Sequence, residues 1–337
     1  MDLRGKTFLV IGGAGFIGSH LVDALLHEDV ARVIVFDNFS RGTRENLENA
    51  LGDNRVEVFP LGGDLLHQDI LKRAFEQVDG VFHLAALWLL HCHEFEPSAF
   101  KVNIEGTFNV LQALIQSNAK KLVYSSSASV YGDAVTEPMK EDHPFNNTNF
   151  YGATKVAGEQ FCRSLFHRHK ESDAAFDYVG LRYMNVYGPR QDYRGAYIAV
   201  IMKILDRLDQ GKPPVVYGDG SQSYDFVSVK DCARANICAM KSEATDEFYN
   251  VGTGVKTSIR ELTEMILRIS GSPLEIQYEP SGPTFVKNRV GCPQKAEREI
   301  DFRSTVSLEQ GLSDLIEWRR THIDEVEERR RYASMGS

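Results

Sequence analysis

The first half of the chain alternates short apolar runs with segments in which apolar residues recur at helical spacing. The apolar runs at residues 8–11, 32–36, 56–59, 80–86, 121–124 and 178–182 predict buried strands. Helical spacing predicts a helix after the first run and helices over residues 70–75, 100–116 and 151–167. This βαβ alternation predicts an α/β fold of the Rossmann type, a doubly wound, mainly parallel sheet with helices on both faces.

The turn after the first strand carries three glycines, Gly12, Gly15 and Gly18, and leads directly into a helix. Backbone N–H groups at a helix N-terminus suit a pyrophosphate, and glycines allow that backbone to approach it closely. Asp37 ends the second strand, where a carboxylate can bind ribose hydroxyls and would repel a 2′-phosphate. The sequence therefore predicts dinucleotide binding and favours NAD over NADP, although Arg41 nearby leaves that choice open.

After Asn185 the alternation loosens into short strands and helices separated by glycine and proline. Strands are predicted over 215–217, 226–229, 248–251 and 275–278, and helices over 197–210, 231–240 and 258–270. We interpret residues 1–185 as the NAD-binding domain with the catalytic residues and 186–320 mainly as a smaller mixed α/β substrate-binding lobe. Residues 321–337, rich in Glu and Arg, predict a charged tail that is a frayed helix or disordered.

Composition and charge narrow the possible functions. The chain has 337 residues, of which 42% are hydrophobic and 25% charged, and its net charge of −9 argues against nucleic-acid binding. No apolar run approaches membrane-spanning length, and because the first predicted strand begins within ten residues of Met1, we expect no signal peptide. The five scattered cysteines indicate reduced thiols, so we expect a cytoplasmic protein with no membrane partner. His91–His93 could be read as a metal site, but adjacent residues converge poorly on one ion, and we expect no metal.

Two stretches carry residues suited to oxidising an alcohol. A serine cluster, Ser125–Ser127, follows the fifth strand, and Tyr151 and Lys155 lie four residues apart at the start of a long helix. That spacing places both on one helix face, where the lysine ammonium would favour the tyrosine phenolate. Tyr151 is then a candidate general base, a serine hydroxyl can orient the alcohol, and a nicotinamide can accept the hydride.

With these motifs, the sequence resembles the extended short-chain dehydrogenase/reductases of the nucleotide-sugar epimerase and dehydratase group over nearly its whole length. The resemblance rests on Gly12-x-x-Gly15-x-x-Gly18, Asp37-Asn38, Asp64-Leu65, His83–Ala86, Asn103 with Gly106-Thr107, Ser127 with Tyr131-Gly132, Tyr151-x-x-x-Lys155, Arg182-Tyr183 with Asn185–Pro189, Gly218–Ser221 with Asp225–Val227, and Asn250–Gly252.

The resemblance implies a set of site residues and a homodimer. The implied catalytic residues are Ser127, Tyr151 and Lys155, with Ser126 as an alternative serine. The implied cofactor-binding residues are Gly12, Gly15, Phe16, Ile17, Gly18, Asp37, Asn38, Asp64, Leu65, Leu84, Ala85, Ala86, Asn103, Ser125, Tyr151 and Lys155. The implied substrate-binding residues are Trp88, Ser126, Ser127, Asn185, Tyr224 and Arg289. The dimer would pair helices 100–116 and 151–167 through Phe108, Leu111, Leu114, Ile115, Phe161 and Leu165, although helices packed on a sheet would show the same pattern.

Within this group, the residues after the serine favour one reaction. Relatives that eliminate water carry Asp-Glu in the two positions after it, and decarboxylases carry a glutamate, whereas this chain has Ala128-Ser129. Without those acids the three catalytic residues support hydride transfer at an alcohol carbon, and returning the hydride to the other face gives 4-epimerisation. The resemblance therefore favours a UDP-hexose or UDP-N-acetylhexosamine 4-epimerase with tightly bound NAD. The nearest type is the UDP-N-acetylglucosamine 4-epimerase of exopolysaccharide clusters such as that of Pel.

Two alternative functions remain open at this point, and the sequence departs from the pattern of its relatives in three places. The alternatives are an NAD(P)-dependent 4-keto-sugar reductase or dehydrogenase with the same catalytic residues, and a non-catalytic NAD-binding sensor. Relatives carry arginine where this chain has Tyr224, and a second arginine expected shortly before Phe285 has no counterpart. Arg289 or Arg194 could supply the missing charge. The third departure, the bulky apolar segment 87–93, could pack in the core or reshape the sugar pocket.

Overall fold

The computed structural model describes residues 1–191, 200–280 and 286–335. In chain order, its strands are β1 (Thr7–Ile11), β2 (Arg32–Phe36), β3 (Val56–Val58), β4 (Gly80–His83), β5 (Lys121–Ser127), β6 (Asp177–Tyr183), β7 (Asn185–Tyr187), β8 (Val215–Tyr217), β9 (Ser223–Tyr224), β10 (Phe226–Ser228), β11 (Glu247–Val251), β12 (Thr257–Ser258), β13 (Gln277–Glu279) and β14 (Asn288–Arg289). Its helices are α1 (Phe16–Leu26), α2 (Gln68–Ala74), α3 (Leu89–Glu94), α4 (Glu96–Ala99), α5 (Gly106–Ile115), α6 (Phe150–His169), α7 (Val200–Asp209), α8 (Val229–Lys241), α9 (Ile259–Ser270), α10 (Gln294–Ile300), α11 (Leu308–Thr321) and α12 (Ile323–Met335).

A seven-stranded sheet with the order β3-β2-β1-β4-β5-β6-β11 forms the centre of the larger part, and every pair in it is parallel. This confirms the predicted Rossmann-type sheet. One strand has a different origin from the one expected, because β11 comes from the segment assigned to the smaller lobe. Tyr249 lies opposite Leu181, so β11 extends the main sheet beyond β6.

Each central strand is buried on both faces, which explains why its sequence is almost continuously apolar. In β1, Phe8 and Val10 pack toward one core, while Leu9 and Ile11 pack toward the other. The first core lies under α1 and α8 and the second under α2, α5 and α6. The helices on the two faces thus leave the carboxyl ends of the strands as the open edge of the sheet.

The chain leaves β1 toward β2 and β3 on one side and returns to β4 on the other. In an open parallel sheet, this reversal creates a crevice at the carboxyl ends of the two neighbouring strands. The glycine turn follows β1, and the segment Leu84–Ala86 follows β4, so both lie at this crevice.

The smaller part combines three small sheets with helices α7, α9 and α11. Its sheets are the parallel pair β7–β10, the parallel pair β8–β13 and the ladder β12-β9-β14. The helices share an apolar core that includes Leu205, Leu262 and Leu315. This arrangement agrees with a mixed α/β lobe, while the exact domain boundaries stay a prediction.

The charged tail is helical through Met335 in the structure, as α12, and it is anchored to the lobe. Asp206 on α7 accepts contacts from Arg319 at 2.7 Å and from Arg330 at 2.9 Å. Arg319 belongs to α11 and Arg330 to α12, so Asp206 joins both helices to α7, which the alternating Glu and Arg pattern alone could not indicate. No helix in the described ranges is both long and apolar enough to cross a bilayer.

The predicted helix over residues 100–116 is divided in the structure. Phe100–Glu105 forms a π-helical turn that continues into α5. Leu111 and Leu114 are fully buried beneath the sheet and so cannot contact a second subunit through this face. Phe108 is 43% exposed and packs edge-on against Phe161 of α6.

Candidate active site

A cleft of about 330 Å³ opens at the carboxyl ends of β1, β2, β4 and β5. Every predicted cofactor-binding residue except Asn103 lines it, and so do two predicted substrate-binding residues, Trp88 and Ser126. The other four predicted substrate-binding residues, Ser127, Asn185, Tyr224 and Arg289, lie outside this lining. The structure thus brings the dinucleotide signals together, while the predicted sugar contacts divide between the cleft and the lobe.

The glycine turn presents bare backbone to the cleft. Gly12 has φ +82°, and a Cβ there would lie 2.6 Å from the amide nitrogen of Ala85. A Cβ on Gly18 would lie 2.1 Å from the carbonyl oxygen of Gly12. Helix α1 begins after Gly15 with no side-chain cap and no acidic residue in its first turn. Its uncapped N–H groups therefore fit a pyrophosphate.

Asp37 lies at one end of the cleft surface that the glycine turn forms. Its carboxylate accepts hydrogen bonds from the amides of Ala14 at 2.9 Å and Phe39 at 2.8 Å. Burial raises the pKa of Asp37, and these backbone bonds oppose the rise. Because each carboxylate oxygen keeps further acceptor capacity, Asp37 fits ribose hydroxyl groups. Gly63 lies against it, since a Cβ there would be 2.1 Å from the Asp37 carbonyl carbon.

The catalytic candidates meet where α6 begins beside the end of β5. Asn149 caps α6 by accepting a bond from the Gly152 amide at 2.8 Å, which places Tyr151 in the first turn. Gly152 permits this approach, since a Cβ there would lie 2.4 Å from the carbonyl oxygen of Ser129. One turn later, the Lys155 ammonium donates to the carbonyl oxygen of Ser125 at 2.8 Å. Tyr151, Lys155 and the serine strand end therefore share one site.

The pKa values of Tyr151 and Lys155 differ from the expectation that the lysine charge lowers the pKa of the tyrosine. Burial raises the pKa of Tyr151 to about 12, and a hydrogen bond with Ser127 only partly offsets this. Burial also lowers the pKa of Lys155 to about 8. The Lys155 ammonium lies 5.7 Å from the centroid of the Tyr151 ring and is bonded to Ser125. Desolvation thus outweighs the lysine charge here, and Tyr151 is protonated at neutral pH.

The two candidate serines have different partners. Ser126 donates its hydroxyl at 2.6 Å to Glu159, a fully buried carboxylate that is also paired with Arg182 at 2.7 Å. The Ser127 hydroxyl accepts the Ser129 amide at 3.1 Å and interacts with Tyr151. This arrangement favours Ser127 as the serine that faces the reacting alcohol.

Asn103 lies behind the cleft wall instead of lining it. Its amide exchanges two bonds with the backbone of Leu87, at 2.7 and 2.8 Å, and donates to Thr154 at 3.1 Å. Cys92 also contacts this group, donating to the Leu87 carbonyl at 3.2 Å. Asn103 therefore positions the segment after β4, which differs from the predicted direct contact with the cofactor.

The segment after β4 meets the loop after β2 across the cleft. The Arg41 guanidinium carbon lies 4.9 Å from the centroid of a Trp88 ring, and Arg41 contacts His91 Nδ1 at 2.8 Å. Trp88 is thus placed beside the loop that carries Asp37, on the cofactor half of the cleft. Among the described residues, no group of three or more His, Cys, Asp or Glu side chains could hold a metal ion.

Several lining residues were not among the predicted site residues, although Arg41, Leu87 and Tyr183 were noted in the sequence for other reasons. These are Phe36, Ser40, Arg41, Gly42, Gly63, Leu87, Val102, Tyr183 and Gln191. Two glycines among them could have been suspected from position, since Gly63 precedes Asp64 and Gly42 follows the Asp37 loop. A Cβ on Gly42 would lie 2.7 Å from the carbonyl carbon of Ala14.

The lobe brings Tyr224 and Arg289 next to each other, because β9 and β14 pair with Tyr224 opposite Arg289. The Tyr224 hydroxyl donates to the carbonyl of Val286 at 2.8 Å. Asn185 donates to the carbonyl of Asp225 at 3.2 Å. Arg194, the other candidate cation, lies outside the described residues.

Comparison with known proteins places this geometry in a family. The model of the NAD dependent epimerase/dehydratase family matches residues 8–252. The chain belongs to this family. A putative UDP-glucose 4-epimerase of Methanocaldococcus jannaschii is 33% identical over 317 residues, covering 93% of this chain and 98% of that protein. A UDP-N-acetyl-alpha-D-glucosaminuronate decarboxylase of Bacillus cytotoxicus is also 33% identical, over 94% of this chain and 98% of that protein.

Solved structures agree. A UDP-N-acetylglucosamine 4-epimerase of Methanobrevibacter ruminantium M1, in complex with UDP-N-acetylmuramic acid, is 34% identical and superposes with a TM-score of 0.87. The match covers 94% of this chain and 99% of that one. The protein is therefore an NAD-dependent enzyme of the epimerase family, and its cofactor is NAD. Because an epimerase and a decarboxylase are equally similar, overall identity does not select the reaction, and the residues at the site must.

Carboxylates in this family member are confined to one end of the cleft. Among its described lining residues, only Asp37 and Asp64 carry one, and both lie at the ends of the strands near the glycine turn. Glu159, beneath the serine cluster, is neutralised by Arg182. At the catalytic end, the described lining thus offers hydroxyl and ammonium groups and no free acid.

Proposed function

We propose that this enzyme is a nucleotide-sugar 4-epimerase that keeps NAD tightly bound, with UDP-sugars such as UDP-hexoses and UDP-N-acetylhexosamines as the favoured substrates. The observation that carries the proposal is the site at the end of β5. Ser127, Tyr151 and Lys155 converge there, and the serine is followed by Ala128 and Ser129, both buried and neither acidic. Elimination and decarboxylation would need an acid or base at those positions.

In this proposal, each residue has a separate task. The glycine turn and Asp37 would hold NAD, which when bound would supply a reversible hydride acceptor for C4 of the sugar. The Ser127 hydroxyl orients the C4 hydroxyl, and the Tyr151 Oη, once bound ligands have shifted it to the phenolate, takes its proton and later gives it back. Lys155, held by the Ser125 carbonyl, keeps a positive charge near that oxygen. The buried surroundings of these groups exclude water that could compete for the proton.

UDP as the nucleotide is supported by the three relatives described above, which are named for UDP-sugars. The direct test is to incubate the purified enzyme, without added NAD, with UDP-, GDP-, CDP- and dTDP-sugars and to follow C4 epimers by NMR. We expect conversion of UDP-sugars by enzyme that carries its own NAD. Turnover only with stoichiometric NAD(P)H would instead indicate a 4-keto-sugar reductase.

We also propose a homodimer formed through α5 and α6. Support comes from Phe108, which is 43% exposed on this face and packs against Phe161. Sedimentation of the wild type and of Phe108→Glu tests it, and an unchanged dimer in the variant would place the interface elsewhere.

A further inference from the structure

Two loops meet across the cleft at the end of β1. Arg41 is the fifth residue after β2, and Trp88 is the fifth residue after β4. In the sheet, β1 lies between β2 and β4, and the glycine turn follows β1. Neighbouring strands are about 4.8 Å apart, so a contact between the two loops spans roughly 10 Å and crosses the end of β1, where the glycine turn lies. The dinucleotide surface of the cleft is thus bridged by this contact.

Three side chains make the bridge, and we call them the clasp: Arg41, Trp88 and His91. The Arg41 guanidinium carbon lies 4.9 Å from the centroid of a Trp88 ring, and Arg41 Nη1 donates to His91 Nδ1 at 2.8 Å. The ring atom accepts, because a guanidinium has donors only. The Trp88 and His91 rings pack edge-on, with their centroids 6.5 Å apart. Every pair within the clasp is therefore in contact, and these contacts join groups of the protein itself.

The backbone that carries the clasp is held on both sides of the cleft. On the β2 side, Gly42 packs against Ala14 in the glycine turn, since a Cβ on Gly42 would lie 2.7 Å from the Ala14 carbonyl carbon. Asn46 donates to the Ala14 carbonyl oxygen at 2.8 Å. On the β4 side, the Asn103 amide holds the backbone of Leu87 through bonds of 2.7 and 2.8 Å. The clasp can thus open by rotation of its side chains without displacement of either loop.

We propose that the clasp is a gate on the cofactor, which slows both the entry and the release of NAD and leaves its affinity nearly unchanged. This inference rests on the resident NAD of the proposed function, and it concerns binding and not the reaction. The contacts of the clasp stabilise the closed arrangement with or without NAD beneath it, so they slow passage equally in both directions. A residue that bound NAD directly would instead change the dissociation constant, mainly through the release rate. Trp88 then acts on the cofactor and not on the sugar.

The experiment measures NAD exchange in the purified enzyme, independently of turnover. Mass spectrometry follows the replacement of bound NAD by an excess of deuterium-labelled NAD, and binding of labelled NAD to stripped protein gives the association rate. The variants are Arg41→Lys, Trp88→Ala, the double variant and His91→Phe.

Arg41→Lys is informative because it keeps the positive charge but loses the planar group that stacks on Trp88. Arg44→Lys is the matched control. Arg44 is an exposed arginine of the same loop, and its guanidinium carbon lies 5.3 Å from the centroid of the Phe39 ring. Its stacking partner therefore belongs to its own loop and not to the other side of the cleft.

We expect Arg41→Lys and Trp88→Ala each to raise the rate of NAD release by about 5- to 100-fold, the range for loss of a stacked cation and a hydrogen bond. The association rate should rise by a similar factor, so the dissociation constant should stay within about threefold of the wild-type value. The double variant should release NAD at most about twofold faster than the faster single variant, since either change already opens the clasp. His91→Phe should have a smaller effect, and Arg44→Lys none.

Three results would overturn the inference. The first is an unchanged release rate in variants whose stripped forms unfold at the wild-type temperature. The second is faster release with an unchanged association rate, which would assign these residues to direct contact with NAD. The third is a double variant in which the two effects multiply, which would make Arg41 and Trp88 independent. If Trp88→Ala fails to fold, Arg41→Lys alone decides between the first two results and the clasp. Failure of the proposed function would look different, because no C4 epimer would form from any sugar while the exchange rates would still test the clasp.

Discussion

The glycine turn allows one sharp test of how the cofactor cradle is built, because two of its glycines are required for different reasons. A Cβ on Gly18 would lie 2.1 Å from the Gly12 carbonyl oxygen and 2.8 Å from Gly13 Cα, both backbone atoms that cannot rotate away. A Cβ on Gly15 would have its nearest contact at 3.2 Å, and Gly15 has an ordinary φ of −74°. Both glycines line the cleft, but only Gly18 would place a Cβ within 3 Å of the backbone of the preceding turn.

These distances set the expected magnitudes. Alanine normally stabilises a helix interior by about 1 kcal/mol relative to glycine. In Gly18→Ala, the backbone must move by roughly 1 Å, and overpacking against rigid backbone atoms lies at the upper end of the usual range, at about 2–3 kcal/mol. We therefore expect its free energy of unfolding to fall by about 1–2 kcal/mol, with an unfolding temperature about 2–5 °C lower. Gly15→Ala should unfold within about 1 °C of the wild type but lose NAD, because its methyl group occupies the surface that the pyrophosphate approaches.

The assay is differential scanning calorimetry together with NAD released by acid from the purified protein. Ligand-stripped protein must be compared, since bound NAD itself raises the unfolding temperature. Gly52→Ala is the matched control, because Gly52 is exposed and a Cβ there would meet nothing within 4 Å. The reasoning would be refuted if Gly15→Ala retained full NAD, or if stripped Gly18→Ala were as stable as Gly52→Ala.

Three further predictions concern the catalytic end. Tyr151→Phe should keep NAD and its unfolding temperature but lower kcat by about 10²- to 10⁴-fold, and turnover at the wild-type rate would exclude Tyr151 as the base. Because burial lowers the pKa of Lys155 to about 8, its protonated fraction falls above that pH, so kcat/KM should decline there; the decline should be absent in Lys155→Arg, and its persistence would point to another group. Glu159→Gln should destabilise the protein by about 3–5 kcal/mol, since Arg182 would remain buried without its anion, whereas Asp2→Asn, at an exposed ion pair, should leave thermal unfolding unchanged.

The part of the fold that local sequence predicted best is the part in which neighbouring elements in sequence are also neighbours in space. Strands β1 to β6 alternate with helices, so periodicity was sufficient to predict a mainly parallel sheet with helices on both faces. Strand β11 is an exception, because it pairs with β6 although many residues separate the two strands in sequence. Its apolar run was recognised, but only its pairing with β6 shows that it joins the main sheet.

The same distinction between local patterns and contacts between distant elements applies to the candidate site. Glycines in a strand–turn–helix context and a Tyr–Lys pair at helical spacing are local patterns, and they were found. Gly152 and Gly158 were not given a role, although a Cβ on Gly158 would lie 2.1 Å from the Tyr124 hydroxyl oxygen. They determine how closely α6 approaches β5, a distance between elements that no local pattern contains.

The electrostatics of the catalytic pair were misjudged for a physical reason. Spacing alone suggests that Lys155 stabilises the Tyr151 phenolate, but spacing contains no information about burial. In the folded protein, desolvation raises the pKa of Tyr151 to about 12 and lowers that of Lys155 to about 8, so Tyr151 is neutral at pH 7 while Lys155 remains protonated. A substrate alcohol therefore meets a protonated tyrosine, and any shift toward the phenolate must come from charge that arrives with the ligands.

The register of β9 and β14 explains why the substrate cation was hardest to predict. A comparison position by position finds Tyr224 where relatives have arginine and concludes that a charge is missing. Parallel pairing places Arg289 directly opposite Tyr224, about one strand spacing away, so a cation does occupy this wall of the site. Its guanidinium extends to Ser129 beside the candidate catalytic serine. A cation can thus reach the site from a neighbouring strand, a relation that a comparison of single positions does not contain.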